Sequence, residues 1–537
     1  MENRKSRLSV EEVLYFGFFI LLSVVKGLGF CEGQKIFTLF VIPAFLCVLL
    51  KIFLSSYTKR QWAMQILLLL LTVVVYWNSR EIGIFFVMFM ILGMKNISVK
   101  KVFHTGLWVW SLCSIALCLA SFTRLEHTVY RVSAKLGLGY VFRWSLGFTH
   151  PNILHITYLT ICGLILYQLA DRYRFKHFCL LMLGNVVVFF YSISYTGFGI
   201  VTVLLIGGLY VTIRPRFCVL EKVAVNLILP VVLFTSFALP LMYSLSNGAG
   251  ILQKLNLLVN TRIAVASRFL VPECMSPFGV TMSYLAQIQF YLPIDSSYVW
   301  LFIHYGVIPF VCFMAAYLVL IADYTKKQKN RELVLIICFL GAGLTEQLLF
   351  NTSFKNITWI FVGELLFRQK EEEKEYCLFP GVCQGMEQRF APLLVKIQGW
   401  ASYFDVFFSL AQSLWASCRR RIIAGIAVGA VIGTAMCAML WSAPKGYIVP
   451  RVNTDWVEKT YVCLESAEDP LYEEYQIMNY LDADTPMQIV EGRAVMLEAA
   501  RYYVGSLLTG GLAGYLICVG TLLLTDKKAQ DIGSMED

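Results

Sequence analysis

The sequence predicts an all-α, polytopic membrane protein, and three observations carry that reading. Of the 537 residues, 58% are hydrophobic and 15% charged, with a mean hydropathy of +0.66. Apolar runs of about 20 residues recur from end to end, the length a helix needs to cross a bilayer core. Basic residues gather in the short connections at alternate ends of those runs. That alternation is the positive-inside pattern, so the formal charge of +10 implies no nucleic-acid partner.

The first apolar run, near Leu14 to Gly27, comes after Arg4, Lys5 and Arg7 but lacks a small-residue cleavage site, and reads as a retained helix. Spans are expected near 12–30, 36–54, 62–78, 81–95, 102–122, 151–170, 177–194, 197–213, 223–244, 297–321, 332–350 and 355–367, about twelve in the main bundle. Lys51, Lys59 and Arg60 share one side with Lys95, Lys100 and Lys101, with Asp171-Arg172-Tyr173-Arg174, with Arg214-Pro215-Arg216 and with Lys326-Lys327-Gln328-Lys329. This predicts cytoplasmic termini and puts loops 123–149 and 245–296 outside. The 16 cysteines lie mostly inside apolar runs without metal spacing and read as small core residues.

A charged break, Glu371 to Glu375, separates the bundle at 1–370 from the carboxyl-terminal region. Within 371–418, Phe390, Leu394, Ile397, Ala401, Phe404, Phe408, Ala411 and Trp415 recur at helical spacing, with Lys396 and Asp405 on other faces. The pattern suits an amphipathic helix in the cytoplasmic interface; a plain packing helix is the alternative. The region 419–537 contains Arg419-Arg420-Arg421, a span at 422–441, an acidic segment at 442–500, and a span at 502–525 closed by Lys527-Lys528. The acidic segment has eleven acids against four bases, a net of about −7. This two-helix unit with a small external domain shares the plan of polysaccharide co-polymerases, an architectural likeness alone. Asp482-Ala483-Asp484 imitates a nucleotide-sugar metal motif, but on the side where such donors are absent.

The loop at 245–296 is too long for a mere connection, and long ordered loops are usually functional. It contains Arg262, then Arg268 with ten residues before Gly279, and Pro272, Glu273 and Pro277 between them. In the first loop Arg143-Trp144-Ser145-Leu146-Gly147-Phe148-Thr149-His150-Pro151-Asn152 opens the sixth span, and Pro at a first helical turn is well tolerated. Asp295-Ser296-Ser297-Tyr298 opens the tenth span, His304 lies about two and a half turns below, and Glu346-Gln347 sits in the outer half of the eleventh. Ionisable groups at that depth are functional candidates. Ordinary alternatives are solvated rim charges for the arginines, helix caps for His150 and Asp295, and an interhelical partner for Glu346. Arginine suits phosphate recognition, a lipid-borne pyrophosphate is an anion found at that depth, and a carboxylate or histidine could take a proton from a sugar hydroxyl.

With twelve spans, the Gly-Phe-Thr-His-Pro-Asn string at 147–152, Arg268 ten residues before Gly279, and Asp295-Ser-Ser-Tyr298, the stretch from about 10 to 368 resembles the Wzy O-antigen and capsule polymerases. The family's second Arg motif is missing from the first loop, where Phe142 stands eleven residues after Arg131 and Leu154 eleven after Arg143. The resemblance implies a bacterial cytoplasmic-membrane glycosyltransferase that joins oligosaccharide repeats carried on undecaprenyl pyrophosphate, by inverting transfer without metal or other cofactor. It implies pyrophosphate binding by Arg262 and Arg268 with Arg143 and His150 assisting, Glu273 or Asp295 as base, and Asn152, Gly279, Tyr298 and His304 lining the substrate. A chain-length regulator or a flippase would be protein partners, and membrane lipid the surroundings. A WaaL-like ligase, with the same donor and another acceptor, and a lipid-linked oligosaccharide flippase remain as rival functions; a scaffold for a synthesis complex is the blandest.

Overall fold

The computed structural model describes residues 9–122, 130–135, 139–259, 261–288, 294–368, 374–440, 446–450, 462–464, 487–490 and 493–533. Arg4, Lys5, Arg7, Glu371 and most of the acidic segment, Asp482 and Asp484 included, lie outside the described residues, as do the side chains at 397–412 in the expected amphipathic stripe. In chain order the elements are α1 (Val10–Gly27), α2 (Lys35–Leu54), α3 (Lys59–Ser79), α4 (Gly83–Leu92), α5 (Val99–Phe122), β1 (Tyr130–Lys135), β2 (Gly139–Trp144), α6 (Pro151–Leu169), α7 (Phe175–Ser192), α8 (Tyr195–Ile213) and α9 (Val219–Leu245). Next come α10 (Ile251–Leu258), α11 (Arg262–Phe269), α12 (Met282–Ile288), α13 (Ser297–His304), α14 (Val307–Lys326), α15 (Asn330–Ala342), α16 (Trp359–Leu366), α17 (Pro380–Leu440), β3 (Gly446–Pro450), β4 (Val462–Leu464), β5 (Met487–Val490) and α18 (Arg493–Gly533). Among the described residues ten helices are long and apolar enough to cross a membrane: α2, α3, α5 to α9, α14, the later part of α17 and most of α18. The protein is a predominantly helical, multi-pass membrane protein.

The local chemistry explains where helices start and stop. Ser9 and Glu12 form a reciprocal cap on α1, and Thr58 and Gln61 do the same on α3. The expected spans at 81–95, 332–350 and 355–367 are realised as helices of 10, 13 and 8 residues. Between α15 and α16 the backbone leaves the helix, and an asparagine supplies the lost bonds: Asn356 Nδ2 donates to the Leu349 carbonyl at 3.1 Å, and its Oδ1 accepts from the Thr358 N–H at 3.2 Å. Both asparagine and carbonyl are buried in protein, the condition under which irregular backbone survives at membrane depth. The expected span at 297–321 is broken at Gly306, whose φ of +91° no ordinary residue adopts cheaply.

The chain divides into two compact units. The first comprises Met1–Ser114, His155–Phe189 and Ser194–Leu394. Its core is aromatic, with Tyr15, Phe18, Phe86, Phe354 and Trp359 all fully or almost fully buried. Tyr57 and Tyr376 exchange backbone hydrogen bonds of 3.1 and 2.8 Å, and Lys95 pairs with Glu375 at 2.5 Å, so the end of the charged break at 371–375 is docked on this unit.

The second unit comprises Ile115–Leu154, Phe190–Ile193 and Val395–Asp537. The first loop is more ordered than a loop reading implies: β1 and β2 form an antiparallel hairpin in which Arg131 faces Arg143. The period-two alternation of Gly139-Tyr-Val-Phe-Arg-Trp144 explains the strand. The start of α18 buckles onto this hairpin. Arg501, with no exposed side-chain surface, donates to the Phe142 and Phe190 carbonyls at 2.5 and 2.9 Å and to Glu498 at 2.7 Å. Glu498 accepts in turn from the Trp144 indole at 2.7 Å.

Helix α17 departs from helical geometry at Cys418. Beyond that point it lies against α18 backbone to backbone. A Cβ added at Gly429 or Gly433 would collide with the carbonyl oxygens of Gly510 or Ser506, and one at Gly425 with the Cys518 side chain, so only hydrogen fits. Small residues that allow such close approach are the usual adhesive between helices in lipid, where apolar burial gives no preference. Gly429→Leu should therefore lower the unfolding temperature of the detergent-solubilised protein by several degrees. Gly520→Leu, on the same helix pair but with nothing within 4 Å, should leave it unchanged, and equal effects of the two would refute the glycine seam.

Candidate functional site

The long loop is tied down at two places, and both arise from unpaired backbone groups. At the break before α14, the first two amides of that helix have no partner in the helix itself. The loop supplies them: Val307 N–H donates to the Ser276 carbonyl at 3.0 Å and Ile308 N–H to the Pro277 carbonyl at 3.1 Å. To do so the loop runs so close to α13 that a Cβ on Gly279, at φ +88°, would overlap the His304 carbonyl. The glycine ten residues after Arg268 is thus a requirement of close backbone approach. At the start of α13, Ser297 N–H donates to the Gly343 carbonyl at 2.8 Å, its Oγ donates to the Glu346 carbonyl at 2.5 Å, and Leu349 N–H donates to that Oγ at 3.2 Å. The Gln347 amide also bonds the Ile294 carbonyl. These bonds bring the turn at 343–349 beside Asp295.

Three charged side chains meet there. Arg262, at the first position of α11, donates from Nε to Asp295 Oδ2 at 2.8 Å and from Nη2 to Glu346 Oε1 at 3.3 Å. Thr196 Oγ1 donates to the same Glu346 oxygen at 3.3 Å. Arg262 and Glu346 are nearly enclosed, with 15% and 14% of their side chains exposed, whereas Asp295 is 39% exposed and open to a ligand. Burial opposes the charge on Arg262, but Asp295 and Glu346 together hold its pKa above the ordinary guanidinium range. With two carboxylates against one guanidinium, the cluster is formally −1. It can orient Asp295 for proton transfer; it does not by itself form an anion cradle. The expectation that Arg262 grips pyrophosphate thus meets a guanidinium already bonded to two carboxylates.

The other expected residues fall into different settings. Arg268, at the far end of α11 from Arg262, is exposed, and so is Glu273, whose carbonyl accepts from the Tyr284 hydroxyl at 3.3 Å. Tyr298 is a core residue: it is fully buried and donates to the Leu340 carbonyl at 2.7 Å. His304 is also buried, its ring tilted at 34° to that of Trp300 with centroids 4.8 Å apart. In the second unit, Arg143 donates from Nε to the Ser192 carbonyl at 2.8 Å and from Nη2 to Asn152 Oδ1 at 2.5 Å, while Asn152 N–H donates to His150 Nδ1 at 3.0 Å. His150 thereby caps α6, which begins at Pro151 as its ring predicts. The place of Glu346 in the cluster has a single signal in the sequence, a carboxylate within an apolar stretch. Among the described residues no three His, Cys, Asp or Glu side chains come together as a metal-holding group.

The two arginines of α11 should separate in a stability measurement. Arg262→Ala leaves Glu346 enclosed without its counter-charge and should cost roughly 1–3 kcal/mol, below the range for a fully buried pair because Asp295 is partly solvated. Arg268→Ala, at an exposed position, should stay within about 0.5 kcal/mol of the parent. Thermal unfolding in detergent compares them, and an equal loss would mean that Arg262 is no keystone. No protein-family model matches the chain, and neither a curated protein nor a solved structure matches it.

Proposed function

We propose that this protein is a polysaccharide polymerase of the bacterial cytoplasmic membrane. It transfers a growing glycan from undecaprenyl pyrophosphate to the sugar end of another lipid-linked repeat, on the outer face, with both chain termini in the cytoplasm. The observation that carries this reading is the convergence of Asp295 and Glu346 on Arg262 where the long loop meets the start of α13. Such a cluster, in a multi-pass helical protein, provides an oriented carboxylate base on the same loop as an exposed arginine.

In the proposed step Asp295 accepts the proton of an acceptor hydroxyl. The hydroxyl oxygen bonds the donor sugar's anomeric carbon from the face opposite the carrier. The bond from that carbon to the pyrophosphate oxygen breaks, and the electron pair leaves with the pyrophosphate. Arg262 remains with its carboxylates and keeps Asp295 aimed. Arg268, exposed on the same short helix, takes the leaving group's developing charge through its planar fork of donors. The Ser296 hydroxyl, buried beside Asp295 with no hydrogen-bond partner among the described residues, is a further donor for the substrate.

Purified protein supplied with lipid-linked repeats from cells lacking it should build a ladder of polymer, and absence of a ladder would overturn the proposal. Asp295→Asn should reduce turnover by roughly 10²-fold or more, the scale of lost general-base catalysis. Arg268→Ala should also lose roughly 10²-fold, the scale of one preorganised transition-state donor, with Arg268→Lys recovering part. A near-normal ladder from Arg268→Ala would make that arginine a bystander.

A further inference from the structure

Helix α10 takes no part in the proposed transfer, yet its polarity is inside out. Ile251, Leu255 and Leu258, at the spacing that puts them in one row along a helix, are 74%, 37% and 67% exposed. Leu257 is exposed as well, and so is Lys254 beside the row. The side turned into the protein carries Leu252 and an asparagine, Asn256, which is only 2% exposed. Asn256 is inside because α11 needs it there. Its Oδ1 accepts from the Ala264 N–H at 2.9 Å, and its carbonyl accepts from the Thr261 N–H at 2.8 Å. Both amides belong to the start of α11, where the helix itself offers them no partner. A surface helix in water turns its leucines inward and its amide side chains outward. The reverse arrangement calls for an apolar neighbour.

Helix α9 identifies that neighbour. It is long and apolar enough to cross a membrane, and its only charged residues, Glu221 and Lys222, stand at its start and mark one headgroup region. About 20 residues further on, at 1.5 Å of rise each, the helix has crossed about 30 Å of hydrocarbon and reaches Tyr243. Leu241, Met242 and Leu245 at this far end are exposed, Leu245 by 86%. The Tyr243 hydroxyl donates to Gln253 Oε1 at 2.8 Å. The middle of α10 is therefore held within one tyrosine side chain of the level at which α9 leaves the hydrocarbon. Its exposed row follows directly on an apolar helix end that already faces lipid.

We propose that α10 is an interfacial membrane anchor, with Ile251, Leu255 and Leu258 against the acyl chains of the leaflet in which α9 ends. Lys254 reaches from the side of the row to the headgroups. The partner is lipid itself, and the contact does not depend on the polymerase reading. Its consequence concerns Arg262. Because the buried side of α10 holds the first turn of α11 through Asn256, the acyl chains and that turn are separated by the thickness of one helix, about 10 Å. The anchor thus keeps the Arg262 cluster at the depth of the headgroups.

The test uses the full-length protein in vesicles of phosphatidylethanolamine and phosphatidylglycerol. The photoreactive residue p-benzoylphenylalanine replaces Leu255 or Leu258 in separate variants, and Leu245 in a reference variant. All three side chains are exposed, so the probe displaces nothing from the core. After irradiation, the peptide containing α10 should gain the mass of one phospholipid, and fragmentation should place the new bond on an acyl chain. No lipid adduct at position 255 or 258, with one present at 245, overturns the anchor. A bond to a second copy of the chain in place of lipid overturns it too. Failure of the same vesicles to join lipid-linked repeats would instead remove the polymerase reading and leave the lipid adducts standing.

Discussion

In a membrane every backbone amide and carbonyl needs a partner inside the protein, and the first unit is organised by how it meets that constraint where its helices break. The gap between α13 and α14 is closed by loop carbonyls of Ser276 and Pro277, and the gap between α15 and α16 by Asn356 and Ser297. Each unpaired group would cost several kcal/mol in hydrocarbon. These closures are therefore obligatory, and they fix the long loop against α13. Gly279 and Gly306 are the residues without which the backbones could not approach.

The charged cluster is a product of those closures. Arg262, Asp295 and Glu346 come from three separate segments, and the hydrogen bonds of Ser297 and Gln347 bring the last two together. Arginine then serves in two different ways on one short helix. Arg262 is enclosed and bound to carboxylates, whereas Arg268 is exposed at the opposite end. Identical side chains six residues apart thus differ in their access to a substrate, because one is enclosed with two carboxylates and the other lies at the surface.

Much of this fold is legible in the sequence wherever an apolar run is unbroken, as from Ile66 to Leu71 in α3. Hydrophobicity says little about where a run bends back. The break at Gly306 is signalled only by Gly and Pro three residues apart, and the irregular segment after α15 by Asn351, Thr352, Ser353 and Asn356 in quick succession. The hairpin at 130–144 carries a period-two pattern, but strands inside a helical membrane protein run against the composition as a whole. At the site, Asp295 and Arg262 stand out by chemistry alone. The union of Arg262 with Glu346 depends on a contact across 84 residues of sequence, which no local pattern records.

The buckle between the hairpin and α18 bears on how the protein is made. The Trp144 indole and the Glu498 carboxylate that accepts its hydrogen bond are separated by 354 residues. A ribosome adding about 5–20 residues per second needs some tens of seconds to cover that stretch. Throughout that interval the contacts that Glu498 and Arg501 make with the hairpin and with the Phe190 carbonyl cannot form. The contacts between the hairpin and α18 therefore form only once α18 has been made.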